Sequence, residues 1–567
     1  MQEIIRSKYK IAVVVILVFA AFIRFFGLDK IPPELFGDEL DVGYQAYSIL
    51  TTGKDYLGHA WPLYFQSFAE ARAPLFLYSA VPPVAAFGLN ELGIRAAAAF
   101  FGVVGLALLY FVTKKMFADK PPVAILALIL GAISPWHLQY SRAAFEVTLL
   151  LSLFLAGLLA FLLASKKPVW LIVTAITWAL MPYTYNTASL FLPLFLLIII
   201  IIYFVEIKSW IKLPVFWAAA VLFMLLLLPI IGEQFAKGAE RFGNINITTD
   251  GSQQLEINLK RQQDVNLSSQ LSAIYHNKPL AWSYLAAKNY VTSLSPQFLF
   301  TEGDPRMRHS VGEMGEFYWF QLPLLILGLI TLAKTDLKVR VLLIAWILLA
   351  PVPAALTRDG GHHATRLFLL LPPLLIIMAL GASFLFDLAK KNLSWKLIAY
   401  SLLLTAALNI AFFAHRYSVH YPQESWRWWQ VGYREAFGEI KKVAGQYDRI
   451  VINNTYEPAL IRFLVYNQYD PALFQQQFVL DQSIKNVLPG IDGFSLGKYY
   501  FGTLSGDIRQ NGGFSKAIAD GMLYLASQRD EVPGDLNLSK QPPDNVKVLQ
   551  KINNPFGEVI FYLLTKR

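Results

Sequence analysis

The sequence predicts a mainly α-helical membrane protein: a polytopic bundle of about eleven spans across residues 1–414, then a small α/β domain across 415–567. Three observations carry this. Of 567 residues, 55% are apolar, 14% aromatic and only 16% charged, too apolar a mixture for an ordinary soluble domain. Apolar runs of roughly 20 residues, enough to cross a bilayer as helix, recur up to residue 414 and then stop. Lys and Arg sit in the short links between those runs, so the net charge of +10 reflects membrane topology and not a nucleic-acid-binding face.

In order, the spans fall near 9–28, 94–113, 121–138, 148–164, 169–184, 188–205, 213–231, 317–333, 339–356, 367–386 and 396–414. The first lacks a small-residue cleavage site and is long enough to cross, so it reads as a retained anchor. Basic groups alternate along the chain: Arg6, Lys8 and Lys10; Lys114, Lys115 and Lys120; Lys166 and Lys167; Lys208 and Lys212; Lys334, Lys338 and Arg340; Lys390, Lys391 and Lys396. All fall on one side, which the positive-inside rule makes cytoplasmic. The N-terminus is then inside and the tail outside, in a plasma membrane.

The segment 74–89 is apolar but short and broken by Pro82 and Pro83, which suits a helix lying in the interface. In the tail, Trp426, Trp428 and Trp429 read as interfacial anchors. Helical stretches are expected near 432–446 and 457–467, and strands near 449–453, 546–551 and 558–564, around a turn-rich middle. There is no cysteine, which excludes disulfides, thiolate nucleophiles and Cys-based metal sites.

Shortly after the first span stands Phe36-Gly37-Asp38-Glu39. Carboxylates near hydrocarbon are costly unless water, a cation or a substrate meets them, so the pair marks a candidate site. Other outer loops add Glu70 and Arg72, Arg142 and Glu146, Tyr183 and Tyr185, the run Asp304 to His309 that contains Arg308, and His362, His363 and Arg366. That mixture suits a sugar–phosphate: Arg matches phosphate oxygens, carboxylates accept a hydroxyl proton or hold a divalent cation, and aromatic faces pack on a sugar ring. Simpler roles stay open. Arg142 and Glu146 stand four apart and can pair with each other; Arg72 can snorkel to headgroups; Tyr183 and Tyr185 suit an aromatic belt; His362 and His363 suit a polar loop.

Several of these segments carry a resemblance. Gly37-Asp38-Glu39 after the first span, Arg72-Ala73-Pro74-Leu75 opening the interfacial helix, and Tyr140-Ser141-Arg142 running into Phe145-Glu146 are similar to the C-type membrane glycosyltransferases. Within them the chain most resembles protein O-mannosyltransferases and lipid A aminoarabinose transferases, with the motifs confined to about 1–210. It departs from the latter at Ala71, where they carry an acidic residue, and has Ala73-Pro74 where both relatives have Pro-Pro. The resemblance implies inverting transfer of a sugar from a polyprenyl-phosphate donor to a protein, glycolipid or polysaccharide acceptor at the outer face. It implies Asp38 as the catalytic base, with Glu39 supporting it or joining it in a divalent metal site (Mg, Mn or Zn). Arg72 and Arg142 would bind the donor phosphate, and Arg308 and Arg366 are added to them as outward guanidinium groups. Glu146, Tyr183, Tyr185 and His309 are the remaining substrate contacts. Membrane lipids are the other expected partners. The competing class is a transporter or lipid flippase, which would place its ionisable groups at the bilayer midplane and show repeats.

Overall fold

The computed structural model describes residues 2–68, 70–233, 243, 245–249, 251–479, 484–528 and 543–567. Each expected span overlaps a helix. By length and composition, six helices among the described residues are apolar enough to cross a membrane alone, and two sharply bent pairs, Pro121–Ile133 with Pro135–Ser141 and Thr187–Ile202 with Phe204–Trp210, raise this to eight if each is one span. The rest of the expected set includes helices too short to cross alone, such as Trp170–Ala179 and Gln321–Leu332.

The site is built at one end of this bundle. Helix α1 (Gln2–Phe25) leads through a loop into α2 (Gly37–Thr52), whose first turn holds Asp38 and Glu39, acidic residues that favour the positive end of a helix dipole. A two-stranded hairpin, β1 (Phe65–Gln66) and β2 (Ala71–Arg72), then opens α3 (Pro74–Phe87). The stretch read as an interfacial helix is thus a 14-residue helix that keeps both prolines inside it. Next come α4 (Glu91–Met116), α5 (Pro121–Ile133), the short α6 (Pro135–Ser141) and α7 (Val147–Ala164).

Deep in the bundle, helix Leu371–Ala389 is almost wholly buried and lies against Gln321–Leu332. The contact is backbone-close because both sides use glycine: a Cβ on Gly328 would meet the Ile377 carbonyl oxygen at 1.9 Å, and one on Gly381 would meet that of Leu324 at 2.0 Å.

The last long helix, Leu393–His415, passes into the tail. There a seven-stranded mixed sheet forms from β3 (Arg449–Asn453), β4 (Lys485–Leu488), β5 (Ile491–Leu496), β6 (Tyr499–Leu504), β7 (Met522–Ser527), β8 (Val546–Asn553) and β9 (Val559–Lys566). Its order is β4-β5-β6-β3-β7-β9-β8, with β3 parallel to both neighbours and every other pairing antiparallel. The expected strands at 449–453, 546–551 and 558–564 are present, while the turn-rich middle supplies four more strands.

The tail is fastened to the first loop. Glu34 accepts from the backbone N–H groups of Gly432 and Arg434 at 2.9 and 2.7 Å, and Arg434 pairs with Glu91 at 2.6 Å. The Tyr44 hydroxyl donates to the Tyr469 carbonyl. These contacts correct the reading of the tryptophans: Trp426 and Trp429 are buried in protein, and the Trp429 indole N–H donates to the Tyr421 hydroxyl while its ring meets Phe36 edge-on. A loop that offers apolar surface and buried acceptors takes the indoles before headgroups can.

Candidate active site

Helix geometry sends the adjacent carboxylates of α2 in different directions. Glu39 turns inward and is fully buried. Arg95, fully buried on α4, donates to its two oxygens at 2.8 and 2.9 Å, and the Ala144 N–H donates at 2.9 Å. The remaining Arg95 donors satisfy the carbonyls of Leu28, Pro32 and Glu34. Glu39 therefore ties the first loop to α4 and to the start of α7. Expected as a catalytic and metal-binding group, it is fully buried with both oxygens hydrogen-bonded to protein.

Asp38 turns outward, its side chain 56% exposed, and meets Arg72 at 2.5 Å. Arg72 is the centre of a charge cluster: Asp41 lies 3.3 Å away, Glu146 3.5 Å and Glu70 3.8 Å. Its Nε and Nη1 nevertheless make no aligned hydrogen bond, so these contacts are electrostatic. Burial works against the guanidinium charge, but the four carboxylates outweigh it and hold the pKa above the ordinary value. One cation among four anions leaves the cluster strongly negative, an unfavourable place for a phosphate. Arg72 thus orients carboxylates, Asp38 above all, where donor-phosphate binding was expected. Asp41 is buried and accepts from the Tyr56 hydroxyl at 2.9 Å; burial pushes its carboxyl up to about 6 against the pull of Arg72.

Arg142 also differs from expectation. Its guanidinium donates to the carbonyls of Ile23, Arg24, Phe26, Gly27 and Ile31, closing the end of α1 and the turn that follows. Five carbonyls occupy its two terminal nitrogens, its buried Nε has no hydrogen-bond partner, and among the described residues it forms no ion pair with Glu146. Arg366 donates to Thr357 at 2.7 Å and to Asp359 at 2.5 Å, and Asp359 is shared with Arg306 at 2.7 Å. Tyr183 donates to the Leu226 carbonyl and packs with Tyr64 and Ile230, while Tyr185 packs on the bundle core.

Arg308 is the exception among the expected guanidinium groups. It lies over the Phe36 ring at 4.9 Å and the Trp428 ring at 5.9 Å, and it forms no ion pair among the described residues. Burial draws its pKa down, opposed by the field of Asp38, which places the two groups in one neighbourhood. A half-buried cation on aromatic faces beside an exposed carboxylate is what an anionic ligand with a reactive hydroxyl partner requires.

Next to Arg308, His309 Nδ1 lies 2.9 Å from Asp304 Oδ2, and its ring packs on Tyr140 and Phe145. Phe145 in turn touches Phe36, so this second group adjoins the first. Asp304 also accepts from the Arg306 and Ala364 N–H groups and donates its own N–H to Glu316. Burial and the neighbouring Asp304 raise the Glu316 pKa well above normal. His363 stands 4.8 Å from His309 ring to ring.

Sequence reasoning missed Arg95, which lies inside an apolar helix, and the part played by Glu34. A buried Arg in a span was the available signal, since such a residue demands a partner.

Known proteins align with this architecture. Residues 71–232 match the dolichyl-phosphate-mannose-protein mannosyltransferase family. No curated protein matches the chain in a sequence comparison. Among solved structures, ArnT from Cupriavidus metallidurans in the apo state is similar with a TM-score of 0.50 over 97% of each chain, at 12% identity. The same protein bound to undecaprenyl phosphate gives 0.49 over 97% of each chain, at 13% identity. An Archaeoglobus fulgidus oligosaccharyltransferase tethered to an acceptor peptide gives 0.45 at 14% identity, covering 80% of this chain and 63% of that one. The chain has the C-type membrane glycosyltransferase fold with a C-terminal sheet domain, and the matched segment relates it to glycosyltransferases. It is a multi-pass membrane protein.

Proposed function

We propose that this protein moves one sugar from a polyprenyl-phosphate donor to an acceptor hydroxyl at the outer face of the plasma membrane, in a single inverting displacement. The observation that carries the reading is the exposed Asp38 carboxylate, held by Arg72, beside the Arg308 guanidinium, which forms no ion pair among the described residues. Asp38 takes the proton from the acceptor hydroxyl as its oxygen attacks the anomeric carbon. The bond from that carbon to the donor phosphate oxygen breaks, and the lipid phosphate keeps the electron pair, its charge met by Arg308. No protein nucleophile is needed, and none of the described residues is placed as one.

Four further features support this assignment. The family matched over 71–232 is described by a dolichyl-phosphate-linked mannose donor. Asp38, Arg72 and Arg308 lie outside the helices apolar enough to cross a membrane, which favours transfer over transport. Basic residues in the alternate links support an extracytoplasmic placement of the site. The tail, bonded to the first loop through Glu34, stands beside the site and is suited to receive the acceptor.

The test is a transfer assay with full-length protein in vesicles and a radiolabelled polyprenyl-phosphate sugar. Label should move to an acceptor fraction, and Asp38→Asn should reduce the rate by about 100-fold or more, the scale of a lost general base, while folding is unchanged. Label that crosses the membrane still attached to lipid would assign a flippase; an Asp38→Asn protein turning over at the wild-type rate would remove the base.

A further inference from the structure

Outside the cluster around Arg72, a second set of side chains has metal-ligating chemistry. Asp304, His309 and His363 each offer one ligand atom, and these atoms all lie within 4.8 Å of one another. The set is assembled from two segments far apart in sequence, the loop carrying residues 302–310 and the loop before helix Leu371–Ala389. All three residues are more than nine-tenths buried or at that limit, with 3%, 8% and 9% of their surface exposed.

Two independent features point to an ion there. His363 Nδ1 is buried with no hydrogen-bond partner, although an orphaned buried polar atom is costly and uncommon. Beside it stand two acidic side chains. Asp304 and Glu316 are both buried, and neither is paired with Lys or Arg among the described residues. The nearby Arg306 and Arg366 are both committed to Asp359.

We propose that Asp304, His309 and His363 bind a divalent transition-metal ion of the zinc class. Two imidazole nitrogens and one carboxylate oxygen form a borderline-soft donor set with a fourth tetrahedral position left for water or another oxygen. Asp304 Oδ2 and His309 Nδ1 are already close, at 2.9 Å, and closing His363 onto an ion between them takes a movement on the order of 1 Å. The proton now shared by that pair leaves on binding. Because Arg308 precedes His309 in the chain, the ion fixes the loop that holds Arg308 over Phe36 and so acts as a positioning element for that guanidinium. The site stands on this loop geometry and not on the sugar-transfer reading, so either can fail without the other.

Full-length protein in detergent, stripped with chelator and desalted, is titrated with Zn²⁺ against a metal-sensitive dye, and separately with Co²⁺ read by its visible absorption. The wild type should take up about one ion per chain, with the intense Co²⁺ bands of a four-coordinate site. His309→Ala and His363→Ala should each lower uptake at least tenfold at the same free metal, while the exposed neighbour His362→Ala leaves it unchanged. A surface pair, His415 and His420, stands with ring nitrogens 3.2 Å apart and is the internal control. Uptake abolished by His420→Ala and kept by His363→Ala overturns the assignment. So does a wild type that takes up no metal, a measurement that decides the matter even where a buried variant fails to fold.

Discussion

Asp38 and Glu39 stand side by side at the start of α2 and live in opposite environments. Glu39 has both oxygens bonded, to Arg95 and to the Ala144 N–H, in a fully buried pocket. Asp38 keeps more than half of its side chain open and meets a guanidinium that is itself crowded by three other carboxylates. Successive residues of a helix point about 100° apart, so one step along the chain turns a scaffold residue into an exposed one. Two arginines repeat the contrast: the terminal nitrogens of Arg142 donate to five carbonyls, and Arg308 rests on two aromatic rings with no ion pair among the described residues. In this protein the side chains with more of their polar atoms bonded belong to the frame, and the ligand contacts proposed here are those with charge left over.

The sharpest way to break that comparison is Glu39→Ala. It strands the Arg95 guanidinium in a fully buried site, and loss of one partner of a buried pair costs about 3–5 kcal/mol. Folded protein recovered by size-exclusion chromatography should fall steeply. Recovery and melting temperature equal to the wild type would show that the pair is not part of the frame.

A second test sets the arginines against each other. Arg308→Ala should fold normally and weaken donor affinity by about tenfold or more, since a hydrogen bond to a charged group contributes roughly 1.5–3 kcal/mol. Arg142→Ala should do the reverse, lowering the melting temperature through its orphaned carbonyls while the folded fraction binds donor as before. Donor affinity measured by competition separates the two. A stable Arg142→Ala protein that has lost donor binding would erase the distinction between frame and site.

The same contrast explains what could be read in the sequence. Apolar runs are set by the bilayer and need no partner, so the helices lay where hydropathy put them, and β3, β8 and β9 followed from short runs rich in β-branched and apolar residues. Strands β4 to β6 did not, because Gly490, Gly493, Gly497 and Gly502 read as turns, whereas Gly493 and Gly502 sit where adjacent strands come too close for a Cβ. At the site, Asp38 and Arg308 were legible as residue types on outer loops. The assignments of Glu39, Arg72 and Arg142 depended on partners far away in sequence, Arg95, the surrounding carboxylates and the end of α1, which no local pattern displays. A charged residue announces that something must meet it; only the fold says whether that is the protein or a ligand.

Asp41 gives the smallest expected effect and the finest test of the cluster. Its carboxyl is raised to about 6 because burial outweighs the attraction of Arg72. In the unfolded chain it returns to an ordinary value near 4. The folded state therefore holds the proton more tightly, a contribution that is fully present below about pH 4 and is lost as pH rises through about 6, where a buried group must ionise. Asp41→Asn keeps an oxygen to accept from Tyr56 and cannot ionise, and Arg72 retains Asp38, Glu70 and Glu146. The variant should match the wild type in melting temperature near pH 4 and exceed it by a few degrees near pH 8. If it melts lower near pH 8, the attraction between Arg72 and Asp41 exceeds the burial penalty, and the cluster belongs with the saturated frame around Glu39 and not with the open side that Asp38 presents.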